Sequence, residues 1–454
     1  MSPLYIILVV YIAISFPIFY IVFNASQLVI DEEFHLRQGR HYCLGNFHIW
    51  DEKITTLPGL YVLSAIFLLP FKQCSTFALR LTSLICSIIN LCLIFEIRRS
   101  LQQKVNLIKI AMETLTLSLL PPAYLFAHLY YTDITSITMI LGMFLFNIKQ
   151  RHNISALFGF ASVLMRQTNI VWVGMILGTT IMDKLISQTL PFIKKDSEKR
   201  PTNSYSYNFQ DIFSVFCFYS KRVYLVPKQI RLLFVHLIGY ILTIAAFIAF
   251  ILVNGSIVVG DKSAHEAAIH LPQIFYYSIF FAIFAPSITF KYMAPTLRIL
   301  RRYWIFWILT AILSLIVIYA NTNVHPYLLA DNRHYLFYIW NKFYGRYYWF
   351  KYAMVPLYLI SMTVLYQCIS IRSAGFQILY TLCTIVSIAL QQLIEIRYFI
   401  LPFMIARLFA SSVKFRFLIL ELLTYLIINS ITFYLFSTKE IYWKDYDFIQ
   451  RLIW

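Results

Sequence analysis

The sequence predicts an all-α, polytopic membrane protein, and three observations carry that prediction. Hydrophobic residues make up 60% of the chain and charged residues only 13%, a balance foreign to a soluble domain of 454 residues. Runs approaching the roughly 20 apolar residues that span a bilayer as a helix recur along the chain. The Lys and Arg excess, a formal charge of +18, gathers between those runs, where cations orient spans by remaining cytoplasmic. No basic stretch is interleaved with solvent-facing aromatics as a nucleic-acid platform requires, so the expected partner is the bilayer and not nucleic acid.

The first run, 4–30, lacks a basic n-region and a small-residue cleavage site, so it reads as a retained span. Further runs lie at 77–97, 108–126, 134–147, 154–165, 170–186, 232–253, 271–290, 304–319, 352–369, 376–390, 399–410 and 417–436. Two pieces, 55–71 and 335–350, read either as spans or as surface segments. The expectation is one domain over 1–454 with roughly 12–14 transmembrane helices. Arg98, Arg99, Lys104 and Lys109 mark one cytoplasmic turn, and Lys149, Arg151 and His152 another. A polar linker, about 187–231, carries Lys194, Lys195, Lys199 and Arg200. Lys291, Arg298, Arg301 and Arg302 mark a further turn. These turns agree only if 55–71 does not cross fully, which leaves a long first loop, about 31–76, on the opposite face. Most of the 7 cysteines lie inside apolar runs; Cys43 and Cys74 could meet on one side, but no bridge is expected.

That topology gathers carboxylates on one face. Asp31, Glu32, Glu33, Asp51, Glu52, Asp133, Asp261, Glu266, Asp331 and Glu395 are half of the chain's 20 Asp and Glu, and all fall in segments facing the same side. Charge orientation explains cations and says little about acids, whereas polar clusters at membrane depth mark function. A single polar chamber is therefore expected there. No phosphate loop, GxSxG elbow or HExxH helix is present, so nucleotide hydrolysis and zinc proteolysis lack support.

The chemistry starts at Asp31 and Glu32, where the first span emerges. A carboxylate there can take a proton from an attacking hydroxyl, the base half of an inverting sugar transfer. A phosphate leaving group then needs cations and hydrogen-bond donors more than a strong acid. Arg166, between two apolar runs, requires a partner: a lipid-linked phosphate, an acid of the first loop, or Asp133 in a structural pair. Lys262 suits a phosphate as a point charge, and Arg333 with His334 makes a phosphate clamp. Glu395 and Arg397 read as a structural pair. The competing class is a secondary transporter or channel with a polar lumenal vestibule. It would carry mid-span charges and broken segments in matching halves, and neither is seen.

Several blocks, in order and over most of the chain, carry a resemblance: DEEFH with Gln38 and Tyr42-Cys43, WDEKITTLPGLY, YYTD, RQTNIVWV, NGSIVVGDKSAHE, HPYLLADNRHY and EIRYFILP. Together they resemble the dolichyl-phosphate-glucose-dependent alpha-1,2-glucosyltransferases of N-glycan precursor assembly. The resemblance implies a GT-C glycosyltransferase of the endoplasmic reticulum membrane with its site facing the lumen. It implies dolichyl-phosphate-beta-glucose as donor and a diglucosylated dolichyl-diphosphate-linked glycan as acceptor. It also implies an acid in the first lumenal loop, onto which Asp31 maps best with Glu32 beside it, and no cofactor or metal. On this reading the sugar and acceptor contacts come from His35, Gln38, Asp51, Asp133, Asp261, His265, Glu266, Asp331 and Tyr335, and the phosphate contacts from Lys262, Arg333, His334 and Arg166.

Overall fold

In a computed structural model of the protein, residues 2–193, 207–261, 268–443 and 448–454 are described. Lys262, His265 and Glu266, and most of the basic cluster of the linker, lie outside them. Among the described residues the regular structure is helical, with two isolated β-bridges and no sheet.

The chain runs α1 (Pro3–Ala25), α2 (Glu32–Cys43), α3 (Gly59–Leu68), α4 (Thr76–Leu101), α5 (Leu107–Ser118), α6 (Pro121–Phe126) and α7 (Thr132–Ile148). It continues through α8 (His152–Met165), α9 (Ile170–Ile193), α10 (Phe209–Lys221), α11 (Val226–Asn254), α12 (Pro272–Phe284), α13 (Pro286–Arg302) and α14 (Trp304–Asn321). The last third holds α15 (Pro326–Ala330), α16 (Tyr335–Ile339), α17 (Phe350–Ala353), α18 (Val355–Ile369), α19 (Ala374–Ala389), α20 (Arg397–Phe409) and α21 (Phe415–Thr438).

Among the described residues, 7 helices are long and apolar enough to cross a membrane, or up to 8 if α12 and α13 count as one broken span. Length and composition alone thus pick out 7 or 8 of the roughly 12–14 transmembrane helices expected. The remaining apolar runs form helices of 10–17 residues or break at proline. The residue before proline disfavours helical backbone: Leu120 precedes Pro121 with ψ 115, and Ala285 precedes Pro286 with ψ 57. At the second break the axis turns by 108°. Carbonyls freed in an apolar medium need donors, and α21 supplies them. Asn429 Nδ2 donates to Leu119 O at 2.8 Å, and the Tyr425 hydroxyl donates to Phe284 O.

The 55–71 piece forms α3 and a short 3-10 turn, too short to cross alone. It packs on the end of α8 so closely that a Cβ on Gly59 would stand 2.6 Å from the Leu164 backbone. A small apolar core under the first loop, including Leu36, Tyr42, Ile54, Tyr61 and Tyr130, seats α2 and α3 on the bundle. A Cys43–Cys74 disulfide closes this loop. That corrects the expectation of no bridge: α3 doubles the chain back and brings the end of α2 to the start of α4.

The segments assigned to one face do meet there. Asp261 N donates to Glu52 O at 2.9 Å, and Gln167 Nε2 to Thr55 O at 2.9 Å. Beyond α21 the chain returns to the same face, where Arg451 Nε donates to Ala25 O at 3.0 Å. At the opposite ends of the helices, two buried ion pairs, Arg98–Glu113 and Arg407–Glu421, tie α4, α5, α20 and α21 together.

Candidate active site

Asp31 caps α2 at the point where α1 gives way to the first loop. It is exposed, and its side chain has no hydrogen-bond or ion-pair partner among the described residues. Glu32, one residue on, is the reverse. It is fully buried and accepts Arg80 Nε at 2.8 Å, Arg80 Nη2 at 2.6 Å and Tyr130 N at 2.7 Å. Arg80 also donates to Ser26 O at 3.0 Å. Three acceptor directions of Glu32 fasten the loop to α4 and to the turn before α7, which leaves Asp31 the freer of the two candidate bases.

Behind Asp31 lies a chain of charges. The Tyr131 hydroxyl donates to Val29 O at 2.7 Å and accepts Glu32 N at 3.1 Å. Burial first, then the negative charge of Asp31, push this phenol well up. Arg397, at the start of α20, is held by Glu395 at 2.8 Å and stands 3.9 Å from Asp133. Burial opposes its charge, but Glu395, Asp133, Tyr131 and Asp31 together hold it protonated. Glu395 is only partly exposed, and burial raises its pKa, yet Arg397 first and then His334 and Arg166 keep it ionised. Arg166 donates to Asp133 Oδ1 at 2.8 Å, while Asp133 Oδ2 is buried without a hydrogen-bond partner. Asp133, Arg166 and Arg397 line one cleft with Asn169, Trp172 and Tyr398.

The pair Arg166–Asp133 is the structural alternative weighed for Arg166. Arg166 nonetheless keeps 21% of its side chain exposed and remains on the cleft wall. His35 lies beside this cluster, its Nδ1 2.6 Å from the Tyr61 hydroxyl. Burial first, then Arg397 and Arg166, hold its pKa down to about 3, so it is neutral at ordinary pH.

Several predicted contacts belong elsewhere. Gln38 is buried, donating to Ile49 O at 2.7 Å and accepting Asp51 N at 2.9 Å. Asp51 accepts Lys53 N at 3.0 Å and stands 3.4 Å from Arg37. Both shape the first loop, although Asp51 Oδ2 is buried without a hydrogen-bond partner. Asp261 sits on the same loop through its backbone. Arg333 is likewise engaged by protein partners. Asp331 takes two of its donors, at 2.9 and 2.8 Å, Gln450 takes a third at 3.2 Å, and Trp443 covers its face at 4.0 Å. A guanidinium so occupied anchors the segment after α21 and leaves little for a phosphate; Asp331 is spent in the same pair. Tyr335 packs its ring on Trp454 at 4.6 Å. His334 stands 3.7 Å from Asp331 and its charge reaches Glu395, so it borders the cluster. Asp31, His35, Asp133, Arg166 and His334 are thus brought together; Lys262, His265 and Glu266 fall outside the described residues.

Sequence reasoning undervalued Arg397 and passed over Arg80 and Tyr131. The available signal was position: Arg80 and Arg397 each stand at the edge of an apolar run, where an unpaired guanidinium is costly.

Fold and site together define the class: a polytopic membrane protein whose charged groups gather at the helix ends of one face, with an unpartnered carboxylate in the field of a buried arginine. The family model described as the DIE2/ALG10 family matches residues 25–408, and the chain belongs to that family. A Drosophila melanogaster relative is 42% identical over 98% of this chain and 97% of its own length. A Mus musculus relative is 35% identical over 94% and 93%, and one from Arabidopsis thaliana 31% over 94% and 94%. All three are named Dol-P-Glc:Glc(2)Man(9)GlcNAc(2)-PP-Dol alpha-1,2-glucosyltransferase. No solved structure matches the chain.

Proposed function

We propose that this chain transfers the terminal glucose from dolichyl-phosphate-beta-glucose to a diglucosylated dolichyl-diphosphate-linked oligosaccharide, forming an alpha-1,2 linkage with inversion. The observation that carries the chemistry is the contrast between Asp31, exposed and unpartnered where α1 gives way to α2, and Arg397, whose positive charge Asp31 helps to hold and which lines a cleft with Arg166. The shared name of full-length relatives supports the substrates, and none of those relatives is named as a transporter.

Asp31 takes the proton from the acceptor O2 hydroxyl as that oxygen attacks the anomeric carbon. The bond from that carbon to the phosphate oxygen breaks on the opposite side, and dolichyl phosphate departs. Arg397 and Arg166 hold the charge that develops on it, as preorganised donors do for departing anions. The scheme needs no metal. His35, neutral beside the cluster, offers a hydrogen bond to a sugar without adding charge. The bundle belongs to the GT-C type on this reading.

The endoplasmic reticulum membrane is the proposed location, with Asp31 on the lumenal side. Cations of the α4–α5, α7–α8 and α13 turns lie at the other end of the helices, as cytoplasmic residues do. The Cys43–Cys74 bridge suits an oxidising compartment. The test is transfer of labelled glucose by purified protein from dolichyl-phosphate-glucose to the defined diglucosylated lipid-linked glycan. An alpha-1,2-linked product is expected; substrate movement across a vesicle without transfer would overturn the reading.

A further inference from the structure

We propose that the face opposite Asp31 carries a separate binding site for the phosphate of an anionic lipid. The ends of α4, α7, α9 and the start of α19 surround a cavity of about 1120 Å³ there, at the upper end of what small-ligand sites enclose. It shares no lining residue with the Asp133–Arg166–Arg397 cleft.

Two chemistries meet in this cavity. Phe144, Met175, Phe376 and Phe409 give it apolar wall, while Lys104, Lys149, Lys184 and Arg372 supply cations. A single carboxylate, Asp183, stands among the lining residues, and it already accepts the Tyr207 hydroxyl at 2.8 Å. Lys149 is 3.9 Å from Glu96. Neither Lys104 nor Lys184 has a carboxylate within ion-pair distance among the described residues. Cations left unpaired around a hollow at membrane-surface depth are an unfinished arrangement, and an anion completes it. Two further lining groups are buried polar atoms without hydrogen-bond partners, Gln102 Oε1 and His152 Nε2. Buried polar atoms normally find partners, so the cavity also offers places for the hydroxyls of a headgroup. The apolar wall separates this ligand from a free phosphate: it has room for the first carbons of an acyl or isoprenoid chain. The position fits, since helix ends carrying Lys and Arg lie where headgroups lie.

The inference does not rest on glucose transfer. The test uses the full chain, purified in neutral detergent and stripped of lipid, with dioctanoyl phosphatidic acid as probe and the thermal unfolding midpoint and native mass spectrometry as readouts. Saturable binding that raises the midpoint is expected. The Lys104→Gln/Lys184→Gln variant should bind about thirtyfold more weakly, as loss of two near-surface cations implies. The Arg298→Gln/Arg301→Gln variant, with basic residues of the same face but outside the cavity, should bind as the parent does. If the double lysine variant does not fold, the single exposed Lys104→Gln change carries the test, with about a fivefold loss expected. Equal response to dioctanoyl phosphatidylcholine, or undiminished binding by the lysine variants, would overturn the site. An equal response to inorganic phosphate would overturn the lipid assignment in favour of a soluble anion.

Discussion

Two arginine–carboxylate clusters on one face of this protein have opposite characters. In the Glu32–Arg80 cluster both side chains are fully buried, and both oxygens of Glu32 and all three nitrogens of Arg80 bond to protein partners. In the Asp31–Arg397–Asp133–Arg166 cluster one carboxylate is exposed and free, one oxygen of Asp133 has no donor, and both arginines face a cleft. Adjacent residues thus serve two ends: the saturated pair holds the loop, and the unsaturated one remains available to substrate. A buried pair is costly to break from one side, while a free carboxylate at a mouth can change its proton at no structural cost.

The largest effect expected from this contrast is at Asp31. Asp31→Asn should lower the turnover number by about 10²–10⁴, the usual contribution of a general base, with an unchanged unfolding midpoint. Turnover within a factor of two of the parent would remove Asp31 from the chemistry. Next is Arg397→Gln, expected to cost about 10²–10³ in kcat as a lost anion-stabilising donor does. A defect in acceptor KM alone would instead place Arg397 away from the leaving group.

Glu32→Gln tests the other side of the comparison. It should destabilise the protein by about 3–5 kcal/mol, as breaking a buried pair does, and Glu32→Leu with Arg80→Met should recover part of that. A well-folded but inactive Glu32→Gln protein would reverse the roles of the two acids. The smallest effect is in pH dependence. His35 is neutral in the folded protein down to about 3 but takes a proton near 6.5 when unfolded. Below that value the unfolded chain binds more protons, so stability falls as pH drops from 6.5 toward 3. A His35→Asn variant should lose part of this slope in denaturation midpoints measured at pH 5 and 7; an identical slope would show that His35 does not titrate differently on unfolding.

Much of this was legible in the sequence because charge at helix ends is a strong signal. The gathering of acids on one face followed from where Arg98, Lys149 and Arg298 had to lie. Asp31 and Glu32 could not be told apart, since their difference is made by Arg80, 48 positions from Glu32. Arg333 is occupied partly by its near neighbour Asp331 and partly by Gln450, 117 positions away, and only the second partner was out of reach of the sequence. The disulfide escaped because it depends on the path of α3, and the breaks before Pro121 and Pro286 because hydropathy does not register them.

The placement of α21 has a bearing on biogenesis. Its Asn429 and Tyr425 close gaps left in the backbone at Leu119 and Phe284, both synthesised well before it. Until the ribosome has delivered that helix, two carbonyl groups must be hydrated or shielded by something other than the protein. The early half of the bundle therefore cannot reach its mature interior on its own, and assembly in the membrane is completed from the late end of the chain backward.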